Sequence, residues 1–156
     1  MTEIDYIKKD ALKLGACEKV ESINSVSDAV ALLMTPQGRE FALNTGFPTL
    51  DTWQKVWDNI SEDEEPRING IYILLDSVRV ILHNVDCIVV GNSKLAVDFN
   101  KPDKLHHIIA MHGAEVEIKA SDYAVVTVTS INATVKINND GTAKVTMEKS
   151  EKGGRL

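Results

Sequence analysis

Ala114-Glu-Val116-Glu-Ile118, Ala124-Val-Val126-Thr-Val128, Ala133-Thr-Val135-Lys-Ile137 and Ala143-Lys-Val145-Thr-Met147 spell one pattern four times: alanine, any residue, valine, any residue, a larger aliphatic. Their first residues stand 10, 9 and 10 apart, so two segments make a period of about 19 residues. Leu95-Ala-Val97-Asp-Phe99 falls 19 residues before Ala114 and reads as an earlier member. Two folds place a short strand every nine or ten residues. An antiparallel meander reverses at each turn, and Asn139-Asp-Gly-Thr142 supports it, because Asp-Gly between strands is a hairpin signal. A parallel solenoid instead makes each coil from two strands and stacks the coils.

The order of residues within the repeat favours coils. Stacking by translation sets like above like, whereas reversed strands would scramble the sequence alanine, valine, larger aliphatic. At an offset of 19, Glu117 lies beside Lys136 and Thr127 beside Thr146. Such cross-strand neighbours contribute about 0.2–1 kcal/mol each. Alanine at a corner lets the chain bend without a bulky side chain inside. Leu105-His-His-Ile-Ile-Ala-Met111 joins the stack only if its register shifts by a residue.

Upstream of the repeat, Ile71-Tyr-Ile-Leu-Leu75, Val78-Arg-Val-Ile-Leu82 and Val85-Asp-Cys-Ile-Val-Val90 are short strands rich in β-branched residues. Asn69-Gly70 has hairpin-turn chemistry, but little strand precedes it. Residues 1–60 read as helical. Thr2 caps the first helix, with Asp5 completing a capping box and Gly15 stopping it. Ser25 or Ser27 opens a short apolar turn through residues 29–34. Thr35-Pro36 opens a third helix that ends near Gly46, and Pro48-Thr49 opens a fourth carrying Leu50, Trp53, Trp57 and Ile60 on one face. The expected fold is therefore α+β, an N-terminal layer of about four short helices capping a short C-terminal parallel β-solenoid. The antiparallel meander is the alternative. Residues 1–60 form the cap, 61–67 an acidic linker containing Ser61-Glu-Asp-Glu-Glu-Pro66, 68–147 the β-repeat region and 148–156 a frayed tail. A solenoid's open end exposes strand edges and an apolar cross-section, so the cap is expected there.

A chain of 156 residues buries enough surface to fold without staples. Cys17 and Cys87 lie far apart in sequence and read as two thiols of a reducing compartment. The net charge is −6, and the acid is concentrated in residues 1–66. No basic stripe suits nucleic acid or an anionic membrane, and no stretch is apolar enough to span a bilayer. The N-terminus carries no secretion signal, so the expected location is the cytoplasm of a host cell or a virion.

The chemistry-bearing motifs are missing as well. There is no phosphate-binding glycine loop, His-Glu-x-x-His, Cys-x-x-Cys or Gly-x-Ser-x-Gly. His106 and His107 are adjacent on a strand and point to opposite faces, so they do not share an ion. His107 reaches at most toward Asp103 or Asp122, and with His112 the segment supplies too few converging ligands for a metal. Glu115 and Glu117 share an outward face without the cleft a glycosidase needs. No catalytic, cofactor or metal residue is assigned.

His112, Glu115, Ile118, Ser121-Asp122 and Ala124, within residues 107–147, together with Gly70-Ile-Tyr-Ile73, resemble a family of short uncharacterised proteins from phages and prophages of gut bacteria. Leu14-Gly-Ala-Cys17 and Phe47-Pro48 are similar to it as well. The resemblance implies a helical N-terminal part, C-terminal β repeats and a phage context, and it transfers no functional residue. The expected function is that of a non-catalytic structural or interaction protein, self-associating through the β-repeat region or binding another protein, with a virion or assembly role in a phage setting. Val125, Thr127 and Thr146 are the candidate contact surface on the sheet. Two tryptophans one turn apart more often anchor a helix to a core than form a stacking platform. A ligand- or protein-binding module of the counter-defence type is the alternative, with Trp53, Trp57 and the His106–His112 segment as candidate contacts where the helical cap leaves a groove; a glycan-active enzyme is a weaker third.

Overall fold

The structure, a computed structural model, describes residues 2–16, 18–58 and 67–151. Cys17, Ile60, the acidic run 61–66 and the end of the tail, 152–156, lie outside the described residues.

The repeat is a flattened parallel solenoid. One sheet, here sheet A, contains β1 (Arg67–Ile68), β2 (Ile71–Leu75), β4 (Asp86–Val90), β6 (Leu105–Met111), β8 (Val125–Ile131) and β10 (Lys144–Ser150) in that order. The facing sheet B contains β3 (Val80–His83), β5 (Lys94–Phe99), β7 (Glu115–Ala120) and β9 (Thr134–Asn139). Every pairing is parallel except β1 with β2. The meander is thereby excluded. Asn139-Asp-Gly-Thr142 turns the chain from sheet B to sheet A rather than closing a hairpin, with Gly141 at φ 99° and Asp140 accepting from the Thr142 amide at 2.8 Å. Asn69-Gly70 does close a hairpin, with both residues at positive φ, because two residues of β1 are enough to cover the start of β2.

The expected neighbours are adjacent: Glu117 pairs with Lys136 and Thr127 with Thr146. The carboxylate of Glu117 accepts from Asn138 Nδ2 at 3.2 Å, and an ion pair on this face joins Lys94 to Glu115 at 3.6 Å. The strand 105–111 takes the shifted register, Leu105 opposite Val125, an offset of 20. The period is not constant further upstream. Leu95 pairs with Val116, an offset of 21 instead of the 19 that put it beside Ala114. Val80 pairs with Leu95 at an offset of only 15. Corner length sets these differences, since the strands must stay in lateral register while the turns between them need not match. Tight corners use left-handed residues: Asp76, Asn84, His112 and Asn132 all have φ between 48° and 55°.

The two sheets bury different faces. In sheet B, β5 and β7 alternate, with Leu95, Val97, Phe99, Val116 and Ile118 inside and Lys94, Glu115, Glu117 and Lys119 exposed. In sheet A, β4, β6 and β8 are buried on both faces along their C-terminal halves. Its inner side packs against sheet B around Val89, Ile108 and Val128. Its outer side carries Ile73, Ile88, Val90, Ile109, Met111 and Ile131 into the helices.

The helical layer consists of α1 (Glu3–Lys13), a 3-10 turn Glu18–Ser22, α2 (Val26–Leu33), α3 (Pro36–Thr45) and α4 (Leu50–Asp58). Thr2, Ser25 and Thr35 cap the first three helices, and Gly46 ends the third at φ 78°. Residues 29–34 belong to a full helix starting at Val26. The layer lies on the outer face of sheet A, not across the end of the solenoid, because that face offers a broad apolar surface to Val30, Leu33, Ala42 and Trp53. α1 forms a second tier, with Asp10 accepting from the Thr49 amide at 2.9 Å and so tying it to the start of α4. β10 runs through Ser150, which pairs with Ile131, so the strand extends three residues beyond the expected repeat boundary at 147.

Gly38 is where α2 and α3 touch. A Cβ there would lie 2.0 Å from the Leu32 carbonyl oxygen and 2.9 Å from Leu33 Cα. Helix propensity alone makes Gly→Ala favourable by about 1 kcal/mol. Here overlap with backbone reverses the sign. Gly38→Ala is expected to destabilise by about 1–3 kcal/mol, read as a lowered urea midpoint at unchanged slope.

Candidate interaction surface

The helices leave the N-terminal halves of the sheet A strands uncovered. His107, Thr127 and Thr146 stack there in register, one per coil, and Val125 lies beside Leu105 and Lys144. The expected contact residues Val125, Thr127 and Thr146 therefore share one face, Val125 and Thr127 half-buried and Thr146 exposed. α3 overhangs this row through Arg39, Glu40 and Asn44, making a polar cleft of about 550 Å³ that reaches Thr146 and Glu148.

Asp86 begins this row. Its Oδ1 accepts from the His107 backbone N–H at 3.1 Å and bonds the His106 ring at Nδ1, 2.9 Å away. The expected reach of His107 toward Asp103 or Asp122 is replaced by this contact, because a neighbouring coil brings Asp86 closer. The His107 ring hydrogen-bonds Thr127 Oγ1, and Arg39 donates to the Met34 carbonyl beside it. Burial holds the His107 pKa below its ordinary value, and the Arg39 charge adds to the effect. Thr127 and His107 form a hydroxyl–imidazole pair, but Asp86 is bound to the backbone of His107 and the ring of His106. It does not orient the His107 ring, as the carboxylate of a catalytic triad must.

The three histidines serve separate places. His106 points inward, 3% exposed, with its ring centroid 5.0 Å from that of Phe99. His112 sits at a corner and bonds through Nε2 to the Pro48 carbonyl oxygen at 2.7 Å, clasping the α3–α4 connection to the solenoid. Its Nδ1 is buried without a partner, and burial is the main cause of its lowered pKa. Among the described residues no group of three or more His, Cys, Asp or Glu is placed to hold a metal. The Cys87 thiol is buried, which pushes its pKa up to about 12.

These shifts predict a pH effect. His107 and His112 titrate in the folded chain below the 6.5 of a free imidazole, so the unfolded chain takes up protons first as pH falls. Their contribution is complete above pH 6.5 and declines below it. The urea midpoint is expected to drop between pH 7.5 and 5.5, and His112→Asn, whose side chain tolerates the left-handed backbone, should shrink that drop. An unchanged pH response in His112→Asn contradicts the assignment.

The tryptophans do not join this surface. Trp53 is 5% exposed and packs with Val30, Leu33 and Ala42 against sheet A. Trp57 is half-buried at the edge of the same cluster. Both pack in the cluster that joins the helical layer to sheet A, the anchoring role expected of two tryptophans one turn apart.

Among the described residues, β10 is the last strand of the solenoid and no strand of sheet B follows β9, so the last inner layer lacks its cover. Val128 is 2% exposed, whereas Met147, its partner in the next coil, is 40% exposed. Val135, Ile137 and Val145 are only partly buried, although Val116, Ile118 and Val126 one coil earlier lie within the core. No helix among the described residues is long and apolar enough to cross a membrane. No family model, curated protein or solved structure matches this chain.

Proposed function

We propose that the chain is a non-catalytic structural or interaction protein that self-associates through its β-repeat region. The end at β10 carries the reading: among the described residues its outer edge has no strand partner, and the half-open apolar layer lies on its inner side, opposite the face that α3 overhangs. A partner that continues the stack would bury both. The resemblance of residues 107–147 to phage and prophage proteins adds the proposal of a virion or assembly role. Light scattering of the full chain over a hundredfold concentration range tests self-association. A molar mass rising above the 17.2 kDa of one chain supports it, and a mass fixed at one chain throughout rejects it.

A second reading, a ligand- or protein-binding module, rests on the cleft under α3. Its Arg39, Glu40 and Glu148 give it both signs of charge, alongside the hydroxyls of Thr127 and Thr146. Thermal-shift titration with nucleotides and sugars tests this. A Tm rise that Arg39→Ala removes supports binding there, and a flat response across the panel counts against it.

A further inference from the structure

We infer that β10 pairs antiparallel with β10 of a second copy of this chain, about a two-fold axis at Thr146. This rests on the self-association proposed above and adds the strand, the direction and the register.

The edge is available and its hydrogen-bonding positions are fixed. The Lys144 amide donates to the Ala124 carbonyl at 2.9 Å, and the Ser150 carbonyl accepts from the Asn132 amide at 2.7 Å. Alternate residues of a strand direct their backbone groups to opposite sides. The even-numbered residues of β10 therefore bond to β8, and Val145, Met147 and Lys149 direct theirs to the open side. Side chains alternate as well. Val145 and Met147 follow the inward Val126 and Val128, whereas Lys144, Thr146 and Glu148 face outward.

Self-pairing across a two-fold must place a residue opposite one of the same face, so the axis falls on a residue. With Thr146 on the axis, Lys144 meets Glu148 of the second copy and Glu148 meets its Lys144. Val145 meets Met147 on the inner side, and those two exchange both backbone hydrogen bonds. Thr146 faces Thr146. Moving the axis to Met147 would set Val145 against Lys149, and moving it to Glu148 would set Glu148 against itself. Lys149 is an exposed charge on the inward side of an edge strand, a device that blocks indiscriminate pairing. Centring on Thr146 sets it opposite the small Ala143, beside the Val145–Met147 pair and not within it. Only this register opposes unlike charges and joins like apolar residues.

The other end of sheet A explains why the contact is two-fold rather than head-to-tail. β1 runs antiparallel along the start of β2, with Ile68 opposite Ile71, and blunts that edge. Among the described residues, that end of sheet A offers a translated copy only the two-residue β1 along the start of β2. An isologous contact uses β10 twice and closes on itself.

Sedimentation velocity on the full chain, with Lys144→Glu, Glu148→Lys and the double exchange, tests the register. In the wild type a dimer is expected. Each single exchange sets like charges opposite one another twice per dimer and should weaken association about tenfold or more. The double exchange recreates two unlike pairs and should restore association to within about threefold. Circular dichroism melts of all variants establish that each is folded. A wild type that stays monomeric overturns self-association itself. A wild-type dimer indifferent to the single exchanges, or a double exchange as weak as the singles, overturns the register while leaving self-association standing.

Discussion

Replacing Phe99 with alanine lowers the unfolding free energy by about 3–5 kcal/mol, the range for a buried aromatic whose site cannot collapse. Phe99 is fully buried between the sheets, and its partner in the next coil is the small Ala120. The large ring thus fills space that the neighbouring rung leaves. Backbone ladders on both sheets hold the rungs at fixed spacing, so little can move inward to fill the hole. His106, packed on the ring, would face a void while still bound to Asp86. Urea denaturation monitored by circular dichroism gives the number. A loss below about 1 kcal/mol would mean that the sheets close up and the core is not held as described.

The second large effect is expected at Trp53. Trp53→Ala removes the largest buried side chain joining the helices to sheet A and should destabilise by about 3–5 kcal/mol. It belongs to the cluster in which Val30, Leu33 and Ala42 of the helices meet Ile73 and Val90 of sheet A. Its Nε1 is buried without a hydrogen-bond partner, so the contribution comes from packing, and Trp53→Phe should recover much of the loss. A ligand platform would behave otherwise: Trp53→Ala would leave stability nearly unchanged. Denaturant midpoints of the three proteins decide the matter.

How far the sequence carried the fold depended on turn length. The Ala-x-Val segments at 114–147 are joined by corners of similar size, so a constant period read the stack correctly, including Glu117 beside Lys136. Upstream the corners differ, and offsets of 15 and 21 hid the partners of Val80 and Leu95. The place of the helical layer was legible in a signal of another kind. Unbroken apolar runs such as Cys87-Ile-Val-Val90 and Ile108-Ile-Ala-Met111 belong to strands buried on both faces, whereas Leu95-Ala-Val-Asp-Phe99 alternates as a strand wet on one side does. A helical layer over the first kind follows from that contrast.

The candidate surface was legible in part. Thr127 and Thr146 emerged from the period alone. Asp86, His107 and Arg39 did not emerge as a group, because 21 residues separate the first two and Arg39 arrives on a helix with no periodic relation to the strands. The open end was hidden by the alternation itself. Lys144-Val-Thr-Met147 has the same spelling as its buried predecessors, and Met147 is exposed because no further rung covers it among the described residues.

A symmetric disulfide tests the central claim most directly. With Thr146 on the two-fold axis, its Cβ atoms form a close, non-hydrogen-bonded antiparallel pair, a geometry that a disulfide accepts. Thr146→Cys is introduced with Cys17→Ser, leaving Cys87 as the native thiol, buried and held protonated. Thr134→Cys, an exposed position on sheet B, is the control. Mild oxidation at micromolar concentration is expected to convert the Thr146→Cys protein to covalent dimers well ahead of the control. Equal rates at the two positions, or no dimer at all, would contradict an end-to-end pairing through β10.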